Sequence, residues 1–343
     1  MRLIFLASTA CIALAACGAP DPDRPDAASK AAGPVPAGAL TTDAIEGALP
    51  VMSTAADAGA TAGPAAPDPG LIRLQILLDR TAVSPGVIDG FPGENTRQAV
   101  AAWRNAAGLS GDAMDDALIQ RLTAADGAPV MTTYVLTAAD VAGPFSPPPG
   151  EDLAAQARQG VRYSSARERI AERFHLTEGL LQALNPGVDF RTPGARVIVP
   201  AVADRPLPEV ARIVVDKAER SLRAFDASGA LVAFYPATIG SQSNPAPSGT
   251  LRVEGVANEP DYTFDPDKLS YGTADEIIVV PAGPNNPVGS VWIELSRDGY
   301  GVHGAPDPSK IAKTASHGCV RLTNWDAEQL AAAVKPGVEV RFI

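Results

Sequence analysis

Residues 300–304 read Tyr300-Gly301-Val302-His303-Gly304, and residues 316–322 read Ser316-His317-Gly318-Cys319-Val320-Arg321-Leu322. These two runs hold two of the chain's three histidines and one of its three cysteines. A thiol attacks as its thiolate, and a nearby imidazole can take the proton. Gly301-Val302-His303 reads as a short strand, which brings an imidazole toward the thiol from the side. If residues 317–319 are extended, His317 and Cys319 share a face, and Arg321 follows two residues on. The Gly318 and Cys319 N–H groups are candidate oxyanion donors. Arg321 is a candidate cation for a substrate carboxylate, and Ser316 is expected to shape the site. Zinc is the main alternative for a His-His-Cys group. A cysteine beside a glycine turn suits attack on a carbonyl better, so neither metal nor cofactor is expected.

Outward from this pair the sequence is β-rich. Ile213-Val214-Val215, Ser221 to Phe225, Leu231 to Tyr235, Leu251-Arg252-Val253, Glu276 to Val280 and Val291 to Leu295 read as strands, with a hairpin signal at Asp226-Ala227-Ser228-Gly229. Many short strands with turn punctuation predict a β-sandwich over 210–343. Thr323-Asn324-Trp325-Asp326 predicts a capped start for a helix running to Val334, stopped by Lys335-Pro336-Gly337, with a closing strand over 338–343. Segment 258–275 has no strand pattern and is expected to form a loop over the cleft. Its Tyr262 and Tyr271 are candidate substrate contacts.

The rest of the chain divides by composition. Arg2 precedes an apolar run from Leu3 to Ala16 that is too short to span a bilayer and has the form of an export signal. It ends in Leu14-Ala15-Ala16-Cys17-Gly18, which resembles a bacterial lipobox. That resemblance implies cleavage before Cys17 and its acylation, giving a signal over 1–17 and a membrane anchor. Of Cys11, Cys17 and Cys319, only Cys319 then remains a free thiol, with no partner for an intramolecular disulfide. Residues 18–70 are Ala-, Pro- and Gly-rich and read as a tether, with helical turns near 42–52. Leu71, Leu74, Leu77 and Leu78 start a helical period, Glu94 to Ala107 a second helix, and Asp115 to Leu122 a third. Residues 124–162 read as a linker marked by Pro147-Pro148-Pro149-Gly150, with a short strand at Tyr134-Val135-Leu136. Helices over 165–174 and 177–184 and a strand over 196–199 then form a compact unit over 163–200. His175 in that unit reads as an ordinary surface histidine. The net charge of −11 disfavours nucleic acid as a partner.

Three resemblances follow from these residues. Residues 71–123 resemble the three-helix peptidoglycan-binding module, through Gly86-Val87-Ile88-Asp89-Gly90, Trp103 and Gly108-Leu109. Residues 163–200 resemble a LysM module, through Ile170 to Phe174 and Leu184-Asn185-Pro186. Residues 210–343 resemble the L,D-transpeptidase catalytic domain, also called YkuD, whose signature is His-Gly followed by Ser-His-Gly-Cys-x-Arg. Further matches are Pro247-Ser248-Gly249, residues 283–289 and Trp292 to Leu295. The chain is thus read as multidomain: a mainly β catalytic sandwich preceded by a small three-helix module and a small α/β module.

The last resemblance implies Cys319 as nucleophile and His303 as base. The Gly304 carbonyl would orient the imidazole, with His317 beside the thiol. The implied substrate is a peptidoglycan stem tetrapeptide. The acyl group would pass to a diaminopimelate amine, a lipoprotein lysine or, in an L,D-carboxypeptidase, water. A lipid-anchored wall-binding protein without catalysis is the rival reading. The implied location is the periplasm of a Gram-negative cell, on the outer rather than the inner membrane.

Overall fold

A computed structural model describes residues 40–50, 66–203, 205–241, 244–267 and 275–343. The signal and lipidation site at Cys17, most of the 18–70 tether, and Tyr271 lie outside the described residues. Among the described residues no helix is long and apolar enough to cross a membrane.

The amino-terminal half is mostly helical. Helix α1 (Thr42–Glu46) precedes α2 (Pro69–Asp79), α3 (Glu94–Ala106) and α4 (Asp116–Ala125). Asp68 and Asp115 cap α2 and α4 by accepting the Leu71 and Leu118 N–H groups. Leu74 and Leu78 of α2 are fully buried, as their helical spacing predicts. The expected linker holds more structure than a linker: β1 (Met131–Val135), α5 (Ala138–Val141) and α6 (Leu153–Gln159). After it come α7 (Ala166–Arg173), α8 (Glu178–Leu184) and β2 (Arg196–Pro200). Strands β1 and β2 pair antiparallel, so part of the expected linker completes the compact unit after it. One hydrophobic cluster runs from Ile45 through Leu74, Val100 and Leu122 to Ile170, Leu181 and Val199, so the two expected modules share a core.

The carboxy-terminal part holds β3 (Arg212–Asp216), β4 (Ser221–Phe225), β5 (Leu231–Pro236), β6 (Gly249–Asn258), β7 (Tyr262–Phe264), β8 (Ile278–Val280), β9 (Val291–Leu295), β10 (Gly301–His303), β11 (Val320–Arg321), α9 (Asn324–Ala333) and β12 (Glu339–Phe342). Where a sandwich of two sheets is expected, the strands instead form one hydrogen-bonded order, β11-β10-β9-β6-β12-β3-β4-β5. The long strand β6 pairs with β12 at one end and β9 at the other, with a register shift between Val253 and Gly255 where the sheet bends. The chain leaving β5 then bridges back to the opposite edge, at Thr238 with Arg321 and at Gly240 with Ser316. The sheet therefore curls until its two ends meet, around a core that includes Val215, Leu222, Ile293, Val302 and Leu330. Segment 82–84 covers the β5 edge, with Phe234 N–H donating to Ala82 O and Ser84 N–H to Phe234 O.

The expected lid segment is partly a hairpin. Strands β7 and β8 pair, and buried Phe264, Ile278 and Val280 form a small cluster with Val161, against which Tyr262 and residues of α6 pack.

Candidate functional site

The site is built where the curled sheet closes. Strand β10 pairs in parallel with β11, setting Val302 opposite Val320 and His303 opposite Arg321. Paired residues on adjacent strands point the same way, so His303 and Arg321 share a face, and Cys319 directly precedes β11 at that edge. Strand β9 supports the same face from the other side: Trp292 is the register partner of His303, and the two rings stack at 5.4 Å between centroids. The chain around the thiol is clamped to the segment after β5. Thr238 and Arg321 exchange backbone hydrogen bonds of 2.8 and 2.9 Å, and Ser316 N–H donates to Ile239 O at 3.1 Å.

His303 is buried, and its Nδ1 donates to the Gly304 carbonyl oxygen at 2.7 Å. That bond puts the proton on Nδ1, and the Val288 backbone also bonds the ring. Burial, with the Arg321 charge adding to it, depresses the imidazole to about 3. Cys319 is half-buried, and its Sγ lies 3.6 Å from the Gly299 carbonyl oxygen. Burial pushes the thiol up, against the opposing pull of the Gly301 N–H and the Arg321 charge. Each shift favours the neutral form of its group. The sequence suggests instead a thiol already ionised by its neighbour; the difference arises because removing water penalises both charged forms together.

Two further expectations change with the local backbone. Residues 317–319 form a bend rather than an extended segment, because Gly318 has φ +122°. Alternation therefore does not align His317 with Cys319. His317 is exposed at the surface of the bend, with its imidazole lowered by partial burial and by the Arg321 charge. Gly318 N–H donates to Ser316 Oγ at 3.1 Å, and Ser316 Oγ–H donates to the Cys319 carbonyl at 2.6 Å. Ser316 is therefore a brace for the bend. With the Gly318 donor engaged, Cys319 N–H is the oxyanion donor that remains of the expected pair. The Arg321 Nε is buried with no partner among the described residues.

The structure thus gathers Cys319, His303, Gly304, Gly318, Ser316 and Arg321. Tyr262 is grouped with the Phe264 cluster instead. Among the described residues no group of three or more His, Cys, Asp or Glu side chains is arranged to hold a metal. A groove of about 470 Å³ opens between residues 164–178 and 306–310, and Cys319 does not line it.

The sequence gives less warning of the shell behind the site. Asn324, 2 % exposed, accepts Ser290 N–H on Oδ1 at 3.1 Å and donates from Nδ2 to Pro284 O at 3.0 Å and Glu172 Oε1 at 2.8 Å. Only its place just inside the α9 cap, as a polar residue at the head of an apolar helix, marks it in the sequence. His175 is no surface histidine. It sits at φ +59° with Nδ1 3.1 Å from both Asp79 carboxylate oxygens, and its ring stacks on Trp325 at 4.8 Å and 6°.

A closing curled sheet with a Gly-oriented imidazole on one strand and a thiol at the start of the next defines a class of thiol–imidazole domain. The L,D-transpeptidase catalytic domain family, YkuD, matches residues 210–341. The chain is 30 % identical over 184 residues to the putative L,D-transpeptidase YkuD of Bacillus licheniformis, covering 52 % of this chain and 94 % of that protein. It is 31 % identical over 182 residues to the probable L,D-transpeptidase YbiS of Escherichia coli K12, covering 51 % of this chain and 59 % of that one. A crystal structure of L,D-transpeptidase 3 from Mycobacterium tuberculosis overlaps in part: 18 % identity, 44 % of this chain, 74 % of that chain, TM-score 0.33. The chain belongs to the YkuD family of L,D-transpeptidases.

Proposed function

We propose that this chain is an L,D-transpeptidase of the cell envelope that transfers peptidoglycan stem peptides through a thioester on Cys319. The observation that carries the reading is the Nδ1 bond from His303 to Gly304 O, on the strand paired with the one Cys319 precedes; it supports Nε2 as the acceptor for the thiol proton. In this mechanism Nε2 takes the Sγ proton as sulfur attacks the carbonyl between the third and fourth stem residues. Cys319 N–H stabilises the oxyanion. The C–N bond breaks, the imidazolium proton passes to the leaving D-alanine amine, and a thioester remains. An amine, from diaminopimelate or a lipoprotein lysine, then attacks the thioester and restores the thiol. Arg321 binds a substrate carboxylate. Because each shift favours the neutral form of its group, proton transfer accompanies attack rather than preceding it. Water in place of the amine gives L,D-carboxypeptidase action at the same site.

The reading extends to the rest of the chain. Cys17 carries the lipid, the Ala- and Pro-rich stretch between it and α1 serves as the tether, and the protein faces the periplasm from the outer membrane. Residues 71–123 and 163–200 act as wall-binding modules of the peptidoglycan-binding and LysM kinds. Their helical patterns and turn residues support this.

The test incubates the chain from residue 18 onward with disaccharide tetrapeptide and identifies products by mass. Cross-linked dimers indicate transfer, and tripeptides indicate hydrolysis. No product from wild type, with no carbapenem adduct on Cys319, would leave the wall-binding reading.

A further inference from the structure

We infer that Glu172, which lies outside the YkuD match, is a positioning residue for His303, acting through Asn324 on the backbone at Gly304. The inference rests on the reading of His303 as the general base. Three hydrogen bonds fix the Asn324 amide: Ser290 N–H to Oδ1, and Nδ2 to Pro284 O and to Glu172 Oε1. Both Nδ2 hydrogens are thus engaged, and the side chain is buried. The fixed amide is wedged against two glycines. A Cβ on Gly304 would lie 2.1 Å from Asn324 Oδ1, and one on Gly289 would lie 2.2 Å from the same atom. Asn324 therefore sets the height and tilt of the Gly304 backbone, whose carbonyl receives the His303 Nδ1 proton at 2.7 Å.

Of the three partners of the amide, two are backbone groups of the family-matched region. Glu172 alone comes from elsewhere, at a sequence separation of 152. Without its acceptor, one Asn324 N–H is left unmatched in a buried setting, and the amide turns to find another. The contact on Gly304 then loosens, and with it the hold on the histidine tautomer. Burial raises the Glu172 carboxyl to about 8, against the Asn324 hydrogen bond and His175, with Glu168 and Glu328 adding to the rise. A neutral glutamine is therefore a close mimic at pH 7.

The experiment uses the chain from residue 18 onward, which keeps every described residue, and compares Glu172→Gln, Glu172→Ala and Glu172→Met with wild type. Met keeps the volume without the acceptor, so the comparison survives should the alanine variant not fold. Nitrogen NMR of the chain's three histidines reads the His303 tautomer. Intact mass reads the limiting rate of carbapenem acylation. We expect an Nδ1–H tautomer in wild type and Glu172→Gln, and mixed tautomers in the Ala and Met variants. Their limiting acylation rate falls about tenfold with little change in half-saturating concentration, since the loss falls on orientation rather than binding. A wild-type tautomer and rate in folded Glu172→Met would overturn the inference, as would an equal fall in Glu172→Gln. Should wild type form no adduct, the proposed function fails, while the tautomer comparison still decides the role of Glu172.

Discussion

His303 stays neutral in the folded chain because burial removes the water that an imidazolium needs. The sign of the consequence follows from its depressed value, about 3 against an ordinary 6.5. Below pH 6.5 the unfolded chain takes up a proton that the folded chain refuses, so stability falls as pH drops toward 3. The size is on the order of 5 kcal/mol at the acid end. Glutamine at 303 cannot titrate. The melting temperature of wild type, measured against His303→Gln, should therefore fall between pH 7 and pH 4, and a flat difference would refute the assignment. Gly318 offers a second check at this scale. Its φ of +122° favours glycine, and a Cβ added there would lie 2.8 Å from Tyr300 Cε1, which leaves no room for alanine. Gly318→Ala should cost roughly 1–3 kcal/mol of strain and slow carbapenem acylation at Cys319 at least about tenfold. Scarce residue types in close spacing, His303, His317 and Cys319, mark the candidate site in the sequence. The bend at Gly318 and the shifts toward the neutral forms are not legible there, because they depend on backbone path and water exclusion.

Among the elements, α9 links the site to the rest of the protein, and its first turn shows what sequence reading misses. The expected capping box forms in half: Thr323 Oγ1 accepts Asp326 N–H at 3.2 Å, but Asp326 Oδ2 accepts from Ser84 Oγ at 3.0 Å. The carboxyl is recruited by a residue far away in sequence, whereas a local rule reads only neighbours. Burial, with Asp79 adding to it, raises Asp326 to about 7. Here the sign is opposite to that of His303. The stabilising share is complete below the ordinary carboxyl value near 3.8 and is lost as pH rises through about 7. Asn at 326 keeps the size and cannot ionise. The wild-type melting temperature, relative to Asp326→Asn, should drop on the order of 5 °C between pH 5 and pH 8. A flat difference across that interval would mean the carboxyl is held ionised. Strand positions in the sheet are well marked by their β-branched runs, as at Ile213 to Val215 and Val291 to Leu295. Strand β11, two residues long, is invisible to pattern and exists because Thr238 and Val302 flank it.

For the whole molecule, composition says nothing of how the helical and β-rich regions share a core. Phe234 decides the matter. It lies on β5 of the curled sheet, is fully buried, and belongs to the cluster formed by Leu74, Val100, Ile170 and Leu181 of the helical half. Its backbone also binds segment 82–84 on both sides. Further ties cross the same boundary, from Gln98 Nε2 to Glu219 O at 2.8 Å and from Asn95 Nδ2 to Ile311 O at 3.1 Å. A boundary with shared apolar packing unfolds as one unit, unlike one spanned by a polar linker. Phe234→Ala removes a ring from the joint and should cost about 3–5 kcal/mol. Because the joint serves both halves, the loss should register at both. Trp103 in α3 and Trp292 in β9, each kept in turn as the sole tryptophan with the other and Trp325 replaced by Phe, are separate fluorescent probes of the two sides. With Phe234 present their denaturant transitions should coincide, and in Phe234→Ala both midpoints should move down together. An early transition at Trp103 that leaves Trp292 unchanged would show that the helical half folds independently, and that the catalytic sheet needs nothing from it.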